Sequence, residues 1–217
     1  MNLDPQCLRL YLVTDRRFNP RPLLEQVDLA LAGGVTVVQL REKDLPIREF
    51  YDLGCELAAF LKPRGVPLII NDRLDLALAI DAEGLHVGQG DLPFGVARKL
   101  LGPRKFLGVS VGTPEEALEA TKAGADYLGV SAIFDTATKA DRTAIIGVKG
   151  LARIAETVDL PLVGISGIHK GNARSVIDAG ASGVAVVSAI LAAPDIRQAA
   201  SDIRHEVDAG LLARKTR

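Results

Sequence analysis

Two short apolar runs each end in an aspartate, Leu68-Ile-Ile-Asn71-Asp72-Arg73 and Gly84-Leu-His86-Val87-Gly88-Gln89-Gly90-Asp91. The spacing from Asp72 to Asp91 fits one helix and one strand. If both runs are strands of one parallel sheet, the two carboxylates emerge side by side at the same rim. Such a pair suits Mg²⁺, a hard cation that prefers oxygen ligands and is usually shared with substrate phosphates. For each aspartate taken alone the competing reading is a helix cap, Asp72 for a helix starting near Arg73 and Asp91 for one starting near Leu92-Pro93. Their joint placement favours the metal.

Other candidates lie where further strands end. In Gln39-Leu40-Arg41-Glu42-Lys43, period-two alternation sets Gln39, Arg41 and Lys43 on one face and Leu40, with Val38, on the other. Two cations and an amide facing inward suit an anionic ligand; an ion pair of Arg41 with Asp72 or Glu42 is the alternative. His86 reads as a hydrogen-bonded core histidine rather than a metal ligand, because no second histidine stands near it. Ser110 is free to face the same rim, since Thr113 is the better cap for the helix that follows. Thr136 and Thr138 beside Lys139 offer donors to an anion. Gly167 and Ser188 follow two late strand-like runs, where backbone N–H groups can hold a phosphate.

The elements that must position these groups alternate. Strands are predicted at 9–14, 35–40, 67–71, 84–87, 105–110, 125–130, 161–165 and 182–187. Helix-like spacing fills 22–33, 46–62, 73–80, 93–101, 113–123, 147–158, 169–179 and 194–209. Ala32-Gly33-Gly34, Ala123-Gly124 and Ala179-Gly180 recur where a helix should stop, each with a glycine for a left-handed cap; Asp81-Ala82-Glu83-Gly84 is a looser copy. Eight strand–helix units point to a closed (β/α)₈ barrel spanning 1–217 as one domain. An open doubly wound sheet is the alternative, weakened by the lack of a G-x-G-x-x-G turn after the first strand. The stretch 131–146 is too long for an ordinary connection and reads as a loop covering a ligand.

The composition, nearly half apolar and about a quarter charged, is that of a globular protein. A net charge of −1 and the absence of tryptophan argue against nucleic acid. Cys7 and Cys55 are isolated, so neither a zinc site nor a disulfide scaffold is expected. No leader or membrane-length apolar run is visible, and a cytoplasmic protein is the expectation. A homo-oligomer is left open.

The ordered set Leu12-Val-Thr-Asp15, Val38-Gln39-Leu40-Arg41-Glu42-Lys43, Ile70-Asn71-Asp72-Arg73, Leu85-His86-Val87-Gly88-Gln89-Gly90-Asp91, Gly108-Val109-Ser110, Ala125-Asp126-Tyr127-Leu128-Gly129, Thr136-Ala137-Thr138-Lys139 and Gly183-Val184-Ala185-Val186-Val187-Ser188 resembles thiamin phosphate synthase over nearly the whole chain. The resemblance implies a (β/α)₈ barrel that joins a hydroxymethylpyrimidine diphosphate to a thiazole monophosphate, or its carboxylated form, and releases pyrophosphate. It implies Gln39, Leu40, Arg41, Glu42, Lys43, Asn71, Ser110 and Lys139 around the pyrimidine diphosphate, with Arg41, Lys43, Ser110 and Lys139 acting in catalysis. It also implies Asp72 and Asp91 on Mg²⁺, and Thr136, Ala137, Thr138, Gly167, Val187 and Ser188 around the thiazole phosphate. A reaction through a pyrimidine carbocation, as the family suggests, needs no protein nucleophile. The chain departs from the family at Ser131-Ala132, where Gly-Pro is usual, and at Ser166, where a second glycine is usual. A thiazole tautomerase-like barrel and a non-catalytic phosphate-binding barrel are the competing functions.

Overall fold

The structure, a computed structural model, describes residues 4–136 and 144–216. Eight parallel strands close on themselves in chain order: β1 (Leu10–Val13), β2 (Val37–Leu40), β3 (Leu68–Asn71), β4 (Gly84–Val87), β5 (Phe106–Val111), β6 (Tyr127–Val130), β7 (Leu162–Ile165) and β8 (Gly183–Val186). Closure is completed by β1 against β8, with Tyr11 opposite Ala185. This is the predicted barrel rather than the open sheet. Helices α1 (Leu23–Ala32), α2 (Ile47–Leu61), α3 (Leu74–Ala79), α4 (Phe94–Leu101), α5 (Pro114–Lys122), α6 (Gly147–Ala155) and α7 (Ala173–Asp178) return the chain between strands.

Alternation along each strand sorts side chains into two cores. Leu10, Leu12, Val38, Leu40, Leu68 and Ile70 face outward and pack under the helices. Tyr11, Val13, Val37, Ile69, Tyr127 and Val163 face inward and fill the barrel. Each fully buried aliphatic side chain contributes roughly 1.5–3 kcal/mol, so a one-residue slip of any strand would be severely penalised. The register is therefore firm, and with it the identity of the polar groups that point inward.

The recurring glycine pattern does what its position demands. Gly34, Gly124 and Gly180 take positive φ (103°, 88° and 116°) at helix ends. In the looser copy that conformation falls to Asp81, at φ 59°. Thr113 caps α5 by accepting from the Glu116 amide, and the Glu116 carboxylate reaches back to the Gly112 amide.

The last helix, expected over 194–209, is present, and a short helix that was not expected precedes it. A one-turn helix, α8 (Ser188–Leu191), follows β8 directly, and α9 (Ile196–Lys215) starts after Pro194 with Asp195 capping the Gln198 amide. It runs past 209 because Gly210 allows close approach to Ile177, and because the Arg214 guanidinium donates to the Ile177 and Ala181 carbonyls.

Candidate active site

A cavity of about 690 Å³ opens at the C-terminal end of the barrel, the face where barrel enzymes carry their sites. Among the expected residues Gln39, Arg41, Asn71, Ser110, Thr136, Gly167, Val187 and Ser188 line it. The Leu40 side chain does not: it is buried under the helices, so only its backbone faces the rim. Ala137, Thr138 and Lys139 lie outside the described residues.

Asp72 follows the wall residue Asn71, and its carboxyl meets that of Asp91. Burial, then the hydrogen bond and charge of Asp91, raise the Asp72 carboxyl to about 6, against a smaller opposing pull from Lys43 and Asn71. Neither aspartate serves as a helix cap. The first turn of α3 follows Arg73 and that of α4 follows Pro93, each without a side-chain cap. The Asp91 carboxylate instead accepts from the Gly88 amide at 2.7 Å, closing its own turn. Asp72 sits at φ 61°, a backbone conformation aspartate tolerates better than most residues. Two oxygen-donor groups converge here, and the charge of Asp91 disfavours ionisation of Asp72.

Arg41 reaches the cavity by a route the sequence did not suggest. Its ion partner is Asp15, at 3.6 Å, rather than Asp72 or Glu42. Asp15 is buried and also binds Arg17 through 2.9 and 2.6 Å hydrogen bonds, which hold its carboxyl below the usual range. The Arg41 amide donates to the Thr14 hydroxyl at 3.1 Å. Glu42 pairs with Arg16 at 3.0 Å, and burial pushes its carboxyl upward. The signal for Asp15 was present as the acidic end of Leu12-Val-Thr-Asp15, but its partner could be named only once β1 and β2 were paired.

On the opposite wall, Ser166 and Gly167 adopt consecutive positive φ values of 85° and 65°. A Cβ on Gly167 would lie 2.3 Å from the Asp135 carbonyl oxygen, so this glycine is required by the chain that follows β6. That chain is pinned to β7 by the Ile133 amide on the Ile165 carbonyl (3.0 Å) and the Phe134 amide on the Ser166 carbonyl (3.1 Å). Ser166, in the place of a usual glycine, is accommodated in the left-handed region. Asn172 and His169, which the sequence did not single out, join this wall: Asn172 donates to the Gly167 carbonyl and accepts from the His169 amide.

His86 is the hydrogen-bonded interior histidine that its isolation suggested, bonded to Tyr127 and Ser110. No cluster of three or more histidine, cysteine or acidic side chains able to hold a metal occurs among the described residues. No helix among them is long and apolar enough to cross a membrane.

The chain matches known proteins along most of its length. The thiamine monophosphate synthase family model matches residues 10–190. The chain is 51% identical over 203 residues to the thiamine-phosphate synthase of Moorella thermoacetica, covering 94% of this chain and 97% of the relative. It is 53% identical over 196 residues to that of Syntrophomonas wolfei, covering 90% and 94%. The solved thiamine phosphate pyrophosphorylase from Pyrococcus furiosus superimposes with a TM-score of 0.87 at 42% identity, over 95% of this chain and 98% of that one. A 3-hexulose-6-phosphate synthase, at 19% identity and TM-score 0.72, shares the barrel fold. A closed barrel with an acidic pair at one side of its mouth, matched along nearly its whole length to these relatives, belongs to the thiamine monophosphate synthase family.

Proposed function

We propose that this transferase joins a pyrimidine diphosphate to a thiazole phosphate by a Mg²⁺-dependent dissociative substitution, giving thiamin monophosphate and pyrophosphate. The observation that carries this reading is one cavity with two unlike ends. Arg41 and Asn71, with Asp72 and Asp91 beyond them, stand at one end, and Ser166, Gly167, Val187 and Ser188 stand at the other. The first end suits a diphosphate and the second a monophosphate held largely by backbone.

Asp72 and Asp91 would hold the metal: both offer oxygen, and a cation between them would offset the burial and the neighbouring charge that raise the Asp72 carboxyl. When bound, Mg²⁺ supplies charge neutralisation at the diphosphate oxygens. Gln39 to Lys43, Asn71, Ser110 and Lys139 complete that end, Leu40 and Glu42 through their backbone. Arg41, kept in place by Asp15, and Lys43 and Lys139 stabilise negative charge as the carbon–oxygen bond to the leaving group breaks. Thr136, Ala137, Thr138, Gly167, Val187 and Ser188 hold the thiazole phosphate so that its ring nitrogen faces the reacting carbon. Val13, Phe134, Val163 and Ile165 give the cavity an apolar lining, which keeps water from a pyrimidine carbocation. The cytoplasm is the compartment we propose, in keeping with two free cysteines.

The test mixes both substrates with Mg²⁺ and assays pyrophosphate and thiamin monophosphate together. Equal release of the two is expected, and Asp72→Ala and Asp91→Ala should each abolish it in a folded protein. Full activity in both variants would remove the metal assignment. Tautomer conversion of the thiazole phosphate without the pyrimidine substrate would replace the proposed reaction.

A further inference from the structure

Five inward-facing polar groups form one unbroken chain across the barrel. The Gln39 side-chain amide donates to the Tyr11 hydroxyl at 2.8 Å. Tyr11 and Tyr127 hydroxyls are 2.8 Å apart, Tyr127 is 3.1 Å from Nδ1 of His86, and Nε2 of His86 is 2.9 Å from the Ser110 hydroxyl. Both tyrosines are buried, at 2% and 1% exposure. Room for them is built into the strands: a Cβ on Gly108 would lie 2.1 Å from the Tyr127 ring and 2.5 Å from His86 Nδ1, and one on Gly129 would lie 2.9 Å from His86 Cε1.

Each buried phenol has a single proton that needs an acceptor, so the direction of the first bond sets all the others. With the Gln39 amide nitrogen donating, Tyr11 must donate to Tyr127 and Tyr127 to His86 Nδ1. The ring proton then sits on Nε2 and is donated to the Ser110 oxygen. That leaves the Ser110 proton available to the cavity that Ser110 lines. Turning the Gln39 amide over would reverse every bond and present only a lone pair there.

We infer that the chain Gln39–Tyr11–Tyr127–His86 is a positioning relay that fixes Ser110 as a hydrogen-bond donor toward the acceptor-only diphosphate. Tyr11, Tyr127 and His86 are positioning residues that act through Ser110. The inference rests on the reading of Ser110 as part of the diphosphate end.

Two measurements test it. In ligand-free protein, nitrogen-15 NMR of the histidine rings, with His86→Asn to identify the signal, should show the Nε2–H tautomer of His86. The Nδ1–H tautomer would overturn the relay. In kinetics, Tyr127→Phe removes one hydroxyl and keeps the ring, and Tyr11→Phe does the same one step earlier. Each should lower kcat/KM for the pyrimidine diphosphate by roughly 10- to 100-fold, the scale of a hydrogen bond to a charged group, with the thiazole phosphate KM within about twofold of wild type. In a Ser110→Ala background the tyrosine substitutions should have no further effect. Losses that multiply across the double variant, or a matching rise in thiazole phosphate KM, would show a merely structural role and overturn the inference. Unchanged kinetics for Ser110→Ala would overturn it by removing Ser110 from the diphosphate site, while the tautomer, read without substrate, still reports on the relay alone.

Discussion

Replacing Asp72 with asparagine removes a carboxylate that the fold holds at a cost. Burial and Asp91 raise the Asp72 carboxyl from 3.8 to about 6. At about 1.36 kcal/mol per pH unit, that difference is about 3 kcal/mol, and partial exposure of the group reduces it by screening to about 1–2 kcal/mol. Below pH ~4 the proton is bound in folded and unfolded chains alike. Between pH ~4 and ~6 the unfolded chain releases it while the folded one keeps it, so stability falls as pH rises through that window. Above pH ~6 the loss is complete. Asp72→Asn is therefore expected to be more stable than wild type at pH 7.5 in a chelator, by about 1–2 kcal/mol or roughly 2–8 °C in Tm. Its advantage should vanish near pH 4. Asparagine is also at ease at the φ of 61° found here. Adding Mg²⁺ should stabilise wild type and leave the variant unmoved, and the variant should release no pyrophosphate. Thermal melts across pH, with and without Mg²⁺, carry the test. An Asp72→Asn protein that is less stable than wild type at pH 7.5, or whose difference is flat with pH, would refute the electrostatic reasoning.

Two further outcomes are expected. Gly167→Ala forces a side chain into the left-handed region and against the Asp135 carbonyl; denaturant unfolding should show a loss of at least about 2 kcal/mol, and the thiazole phosphate KM should rise. Lys139→Ala should lower kcat in steady-state assays while leaving thiazole phosphate affinity, measured by calorimetry, nearly unchanged; the reverse pattern would move Lys139 to the other end of the cavity.

Inward and outward faces of the strands were legible because period-two alternation needs only local sequence, and Gln39 and Leu40 fall where that rule puts them. The rim aspartates were legible because a strand end marks its own position. Partners across the barrel were not. Tyr11 and Tyr127 stand 116 positions apart and meet through the closed interior; Asp15 finds Arg41 through the pairing of Val13 with Gln39. Gly108 and Gly129 look like weak points in strands until the side chains that occupy their space are known. The short α8 was not legible because four residues are too few for apolar spacing to register.

The loop after β6 leaves and returns at almost one point. The Ile146 amide donates to the Ala132 carbonyl at 2.9 Å, beside the two bonds that fasten Ile133 and Phe134 to β7. A segment closed at its neck in this way is a cassette. The two ends of that segment are therefore anchored to the barrel by described backbone bonds, independently of the residues between them.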